Sequence, residues 1–221
     1  MIKKFIYVLI FTIISALAFS CGQTKKSDNS GNLTIIHMND THGRDEEEII
    51  ITKGDNPQTN HKYGAARRAA YIKEIKATND NVLILHAGDT ITGSVYSTVF
   101  KGRDELDIMN MIGVDAATIG NHFVDYGLEN FTEIMKERKF PTLSINIKNK
   151  SDGSLYATPY ITTNVNGLNV AIIGLTTTDA VYNPEHVKDL IFDEEIKALK
   201  DFIKKTPLHK TNDITILLSH I

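Results

Sequence analysis

Short apolar runs at residues 33–38, 82–86, 116–119 and 214–219 alternate with stretches whose apolar residues recur at helical spacing, and this alternation restricts the fold more than any other feature. Residues 65–76 are alanine-rich and carry Ile72 and Ile75; Leu106, Met109 and Ile112 mark a second helix. Leu128, Phe131 and Met135 mark a third, and Ile196, Leu199 and Ile203 a fourth. Strands separated by helices cannot pair through tight turns, so the pattern predicts βαβ crossovers and a largely parallel sheet. Residues 142–145 read as a further short strand, after which the rhythm changes. Segments 160–165 and 168–173 flank Asn166-Gly167, a pair suited to a type I′ turn, where both central residues need positive φ, so an antiparallel hairpin joins the parallel units. The polar stretch 43–63, with its Asp45-Glu46-Glu47-Glu48 run, reads as a long loop, either a lid or a disordered segment, its acids facing water.

A chain of 221 residues, 42% hydrophobic and 23% charged, has enough apolar material for one domain with a sizeable core. The only cysteine, Cys21, rules out a scaffold held by internal disulfides. Lys3 and Lys4 precede an uncharged apolar run over residues 5–19, shorter than the roughly 20 residues of a spanning helix, so residues 1–20 read as an export signal. The alternative for this run is an uncleaved anchor helix. The segment Leu17-Ala18-Phe19-Ser20-Cys21 resembles the lipobox of bacterial lipoproteins, which implies cleavage before Cys21, a lipid on that cysteine and an exported, membrane-tethered protein. Residues 21–32 are polar and aperiodic, as in a flexible tether, and the folded body is expected over residues 33–221. Removing residues 1–20 takes the formal charge from −3 to −5, which argues against long nucleic acid as a partner but not against a small phosphorylated substrate.

Each of the four apolar runs leads into polar residues able to bind metal: Asp40 and His42, Asp89, Asn121, and His220. In open α/β sheets ligands gather beyond the carboxyl ends of the strands, so these separate tips are expected to deliver their polar residues to one place. Two divalent cations about 3.5–4 Å apart would lower the pKa of a shared water and clamp a phosphoryl group, and such a pair needs a bridging carboxylate. Asp89, on a tight Gly88-Asp89 turn, is the candidate bridge. Asp40 and His42 stand two apart and would point the same way in an extended segment, suiting one metal; Asn121 and His220 suit the second. The mixed oxygen and nitrogen donors favour Zn, Mn, Fe or Co over a pure Ca site. His122, with Asp125 three residues on, reads as a carboxylate-oriented imidazole able to stabilise the phosphoryl group or protonate the leaving oxygen.

The motifs Ile36-His37-Met38-Asn39-Asp40-Thr41-His42-Gly43, Ala87-Gly88-Asp89, Gly120-Asn121-His122 with Asp125-Tyr126-Gly127, and Leu218-Ser219-His220 occur in order. They resemble successive motifs of the 5′-nucleotidase branch of the calcineurin-like metallophosphoesterases. The resemblance implies a four-layer α/β/β/α sandwich and hydrolysis of nucleotides or related small phosphoesters. It also implies Asp40 and His42 on one metal, Asp89 as bridge, Asn121 and His220 on the other, and the His122–Asp125 pair at the phosphorus. Phe123 stands where that family usually has Glu, and His86 where an Asp is common. The family's downstream Gly-His-x-His ligands and nucleoside-binding C-terminal domain would follow Ile221, so the catalytic domain is expected to be partial. That leaves a rival reading, a non-catalytic metal- or phosphate-binding lipoprotein or one half of a split enzyme completed by a missing domain or second chain.

Other residues carry plainer expectations. His86 is either a partner of the ligand shell or a strand-end histidine, and His37 reads as a packed core histidine. His61, His186 and His209 read as solvated, Arg67 and Arg68 as part of a wet helix face, and Met109 and Met111 as core filling. Asp125 has a second candidate role, capping the helix that begins near Leu128.

Overall fold

The computed structural model describes residues 31–54, 56–178 and 184–221. Residues 1–20, expected to be an export signal, Cys21, and most of the expected tether lie outside the described residues. Among the described residues no helix is long and apolar enough to cross a membrane.

Strand β1 (Thr34–Met38) is followed by a hairpin of β2 (Glu47–Ile51) and β3 (Thr59–Tyr63), helix α1 (Ala65–Thr78) and strand β4 (Val82–His86). Helices α2 (Val95–Phe100) and α3 (Arg103–Ile112) lead to β5 (Ala116–Thr118), a 3₁₀ turn (Asn121–Val124), α4 (Leu128–Met135) and β6 (Thr142–Leu143). The remainder comprises β7 (Ile147–Asn149), β8 (Tyr160–Val165), β9 (Leu168–Thr176), β10 (Leu190–Phe192), α5 (Glu195–Lys205) and β11 (Ile214–His220).

Two sheets result. The first, in the order β1-β4-β5-β6, is parallel throughout. The second, β11-β9-β8, pairs β11 with β9 in parallel and β8 with β9 antiparallel across the expected turn, where Asn166 and Gly167 both have positive φ. The two-residue period of a strand then sorts the side chains into layers. Leu83, Leu85 and Ala116 of the first sheet pack against Val170, Ile172 and Leu218 of the second. The alternate residues of the first sheet, Ile84 and Ala117, face Ile72 of α1, Leu106 and Met109 of α3 and Ile134 of α4. On the far side, Ala171, Ile173 and Leu175 meet Leu199 and Phe202 of α5. This is the α/β/β/α order the resemblance implies. Each aliphatic side chain buried between the sheets stabilises the fold by roughly 1.5–3 kcal/mol over its exposed state. The sheets approach so closely that a Cβ on Gly174 would lie 2.4 Å from the carbonyl carbon of Leu143.

Four expectations about strands and packing are corrected. Residues 43–63 are not one long loop, because β2 and β3 pair in full register from Glu47↔Tyr63 to Ile51↔Thr59. The hairpin escapes sequence reading because Ile49 and Ile51 stay 58% and 65% exposed, so no buried face imposes alternation. His37 is exposed rather than packed, since β1 is an edge strand with only one covered face. Met109 is core, but Met111 is 78% exposed. Arg68 is not on a wet face: its guanidinium lies 3.0 Å from the buried Glu105 carboxylate.

Candidate metal centre

Strands β1 and β4 pair from Thr34↔Val82 to Met38↔His86, so they end level and their following turns lie side by side. The turns are laced by backbone hydrogen bonds: Asp40 N–H donates to Gly88 O (3.0 Å), His42 N–H to Asp89 O (3.1 Å) and Gly43 N–H to Thr90 O (2.9 Å). Asp40, His42 and Asp89 all adopt left-handed φ (52°, 49° and 54°), a conformation that costs a residue with a Cβ about 1–2 kcal/mol. Asp40 and His42 therefore converge through a left-handed turn, not through the alternation of an extended segment; His42 Nε2 lies 3.5 Å from Asp40 Oδ1. Strain of this kind persists only where the surroundings overdetermine it, as these bonds do.

Gly120 closes the third side. It packs against Asp89 so tightly that a Cβ there would be 2.1 Å from Asp89 Oδ1. The His122 N–H then donates to the same oxygen at 2.9 Å. His220, the last residue of β11, arrives from the second sheet and places Nε2 3.2 Å from Asp89 Oδ2 and 2.8 Å from Asn121 Oδ1. The structure thus gathers Asp40, His42, Asp89, Asn121 and His220 at one end of both sheets. Asp89, 4% exposed, stands between the His42 side and the His220 side. Donor atoms of Asp40, Asp89 and His220 lie within 4.8 Å of one another, and so do those of His42, Asp89 and His122.

The hydrogen bonds around the imidazoles indicate what this cluster fits. His220 Nδ1 is 2.8 Å from Ala87 O, and His42 Nδ1 is 2.9 Å from Ile91 O; a carbonyl only accepts, so both rings donate through Nδ1. Each Nε2 is left facing carboxylate or amide oxygens. In the neutral rings these are converging lone pairs, which a cation reconciles, and backbone-oriented imidazoles are how metal-binding histidines are usually held. Without a cation the same geometry draws a proton: the hydrogen bond with Asp89 raises the His220 pKa. Burial by itself would raise the Asp89 pKa, but the bonds from His220 and the His122 amide outweigh it, and the net shift is downward.

His122 Nδ1 lies 2.7 Å from Asp125 Oδ2, and its ring meets that of His42 edge-on at 5.2 Å. Helix α4 begins after Gly127 with no side-chain cap, so Asp125 does not cap it. Phe123 is buried and packs edge-to-face on Phe131 at 5.0 Å, using this position for packing rather than charge. A groove of about 560 Å³ opens beside Asp40, lined by Arg44, His61, Arg67, Arg68 and Tyr71 among others. His61 is exposed as expected, with Nδ1 3.0 Å from Glu47 Oε1, whereas His186 is half-buried and its Nδ1 lies 2.7 Å from Val124 O.

Sequence reasoning raised His86 as one possible partner of the ligand shell but missed the buried polar group it joins behind the turns, with Thr41, Glu105 and Arg68. Glu105 stands 64 residues from Thr41 and reads as an ordinary first-turn acid of a helix, so no local signal joins them.

Two sheets back to back between helices, with carboxylate, imidazole and amide donors at the strand ends, define an α/β domain built around a candidate metal centre. The chain belongs to the calcineurin-like phosphoesterase family, whose sequence model matches residues 33–221. It is 36% identical over 218 residues to the snake venom 5′-nucleotidase of Gloydius brevicauda, covering 96% of this chain and 36% of that protein. The NAD nucleotidase of Haemophilus influenzae superposes with a TM-score of 0.74 at 32% identity, over 85% of this chain and 34% of that one. A 5′-nucleotidase precursor from Thermus thermophilus gives 0.75 at 28% identity, over 86% and 37%. The chain therefore spans about a third of the length of these relatives.

Proposed function

We propose that this chain carries the hydrolytic centre of a 5′-nucleotidase-type enzyme that removes phosphate from nucleotides or related small phosphoesters. The observation that carries the reading is the convergence of Asp40, His42, Asp89, Asn121 and His220 with every Nε2 turned inward. In this reading Asp40 and His42 hold one divalent cation and Asn121 and His220 a second, with Asp89 shared. Bound there, the cations would lower the pKa of a water and neutralise phosphoryl oxygens; Zn, Mn, Fe and Co all suit the donors.

The chain's own side chains do the rest. The His122 amide fixes Asp89 Oδ1, leaving Oδ2 toward the two inward-facing imidazoles. The 2.7 Å contact with Asp125 supports an oriented His122 ring, whose Nε2 would give a proton to the leaving oxygen or stabilise charge at phosphorus. Arginines of the groove beside Asp40 favour an anionic substrate. Residues 1–20, read as an export signal, and Cys21, read as a lipid attachment point, would tether the enzyme to a membrane outside the cytoplasm. An unmodified Cys21 in mass spectra of the native N-terminus would refute the tether.

Phosphate release from AMP by the chain, stripped of metal and reloaded with Mn²⁺ or Zn²⁺, tests the main reading. Activity should appear with metal and vanish in Asp89→Ala. Metal-dependent turnover that survives this substitution overturns it.

A further inference from the structure

We infer that Thr41, His86 and Glu105, backed by Arg68, form a buried brace that sets the two ligand-bearing turns for metal binding, making them positioning residues for the centre proposed above. The inference rests on that reading of the cluster.

His86 ends β4, is fully buried, and touches none of the candidate ligands by hydrogen bond in this geometry; it reaches Gly88 and Thr41 instead. Its protonation is dictated by its neighbours. The Gly88 amide can only donate, so His86 Nδ1, 3.2 Å away, accepts and the ring proton sits on Nε2. Nε2–H then donates to Thr41 Oγ1 at 3.2 Å, and the single Thr41 hydroxyl proton goes on to Glu105 Oε1 at 2.9 Å. Glu105 is 1% exposed, and its two oxygens each lie 3.0 Å from Arg68 Nη2. Every proton in the chain has one place, running from the Gly88-Asp89 turn through the Asp40-Thr41-His42 turn to the outer helices α3 and α1. A protonated His86 would lose the Gly88 bond; burial first, and the Arg68 charge second, keep it neutral by lowering its pKa to about 3.

The consequence follows from position. Thr41 lies between Asp40 and His42, and His86 lies three residues before Asp89, so the brace holds both turns from behind while the ligands face forward. Partners one shell behind the metal commonly change affinity or activity by 10- to 100-fold when removed.

The test uses the full chain freed of metal and titrated with Co²⁺, followed by visible absorption, alongside urea unfolding of the metal-free protein. Thr41→Val keeps the shape but deletes the hydroxyl; it should weaken Co²⁺ binding by about 10- to 100-fold and alter the absorption band. Thr41→Ser keeps the hydroxyl and should restore both. If Thr41→Val does not fold, His86→Asn, whose amide oxygen can still accept from Gly88 but whose amide nitrogen stops a bond short of the Nε2 position that reaches Thr41, should show the same loss. Co²⁺ affinity and spectrum unchanged in the variant that folds overturn the brace alone, as does equal loss in Thr41→Val and Thr41→Ser. A wild-type chain that binds no Co²⁺, or binds it equally after Asp89→Ala, overturns the metal centre and the brace with it.

Discussion

Gly120→Ala asks how little room the centre has. Gly120 has φ −91° and ψ −177°, a backbone any residue adopts, so the substitution acts through bulk alone. The added carbon would sit 2.1 Å from Asp89 Oδ1, 2.3 Å from Asp89 N and 2.8 Å from Asp89 Cγ. Ordinary contact begins near 3.4 Å, so Asp89 must retreat by about 1 Å. It cannot swing away alone, because the contact includes its backbone nitrogen and its carbonyl is bonded to His42 N–H. Overpacking of this kind typically costs about 1–3 kcal/mol of stability, and a 1 Å misplacement about 100-fold in rate. Gly153→Ala supplies the control: its φ of +71° makes alanine cost about 1–2 kcal/mol, but nothing lies within 4 Å. Both variants should therefore unfold at lower urea, while only Gly120→Ala should lose Co²⁺ affinity and AMP hydrolysis. Wild-type metal affinity in folded Gly120→Ala would refute the claim that Asp89 is held by this contact.

Two further outcomes are expected. The Asp45 carboxyl is raised to about 6, by burial first and Glu105 next, and Asp104 is raised to about 6, by burial and then Asp45. Between the ordinary value of 3.8 and about 6 the folded chain binds more protons than the unfolded one, so this pair erodes stability as pH rises through that window. In Asp45→Asn, urea unfolding of the metal-free chain should show a shallower fall with pH and higher stability than wild type at about pH 8; equal slopes would count against it. His122→Ala should lower kcat by about 10²–10⁴-fold with the number of bound metals unchanged. Loss of a metal instead would assign the ring to the His42 and Asp89 side as a ligand.

The parts of the fold legible in sequence were those where one covered face imposes a period or one turn demands a backbone. Asn166-Gly167 announced its hairpin because both residues needed positive φ, and both have it. The β2–β3 hairpin was illegible for the opposite reason: Ile49 and Ile51 are held by backbone pairing and face solvent. At the centre, residue type and strand-end position brought Asp40, His42, Asp89, Asn121 and His220 into view. The left-handed turns that aim Asp40 and His42 left no such trace, because outside glycine positive φ has only a weak compositional signal. Arg68 likewise looked like any arginine on an alanine-rich helix. Its partner Glu105 belongs to a different helix, and ion pairs across a fold have no sequence period.

His220 comes from a sheet that shares no strand with the one supplying the other four residues. A ligand gripped by Asp89 and His220 together is thus a rivet across the midline of the molecule, where otherwise aliphatic side chains meet. Occupancy and folding then become one equilibrium: each tenfold excess of ligand over its dissociation constant adds about 1.4 kcal/mol against separation of the two halves.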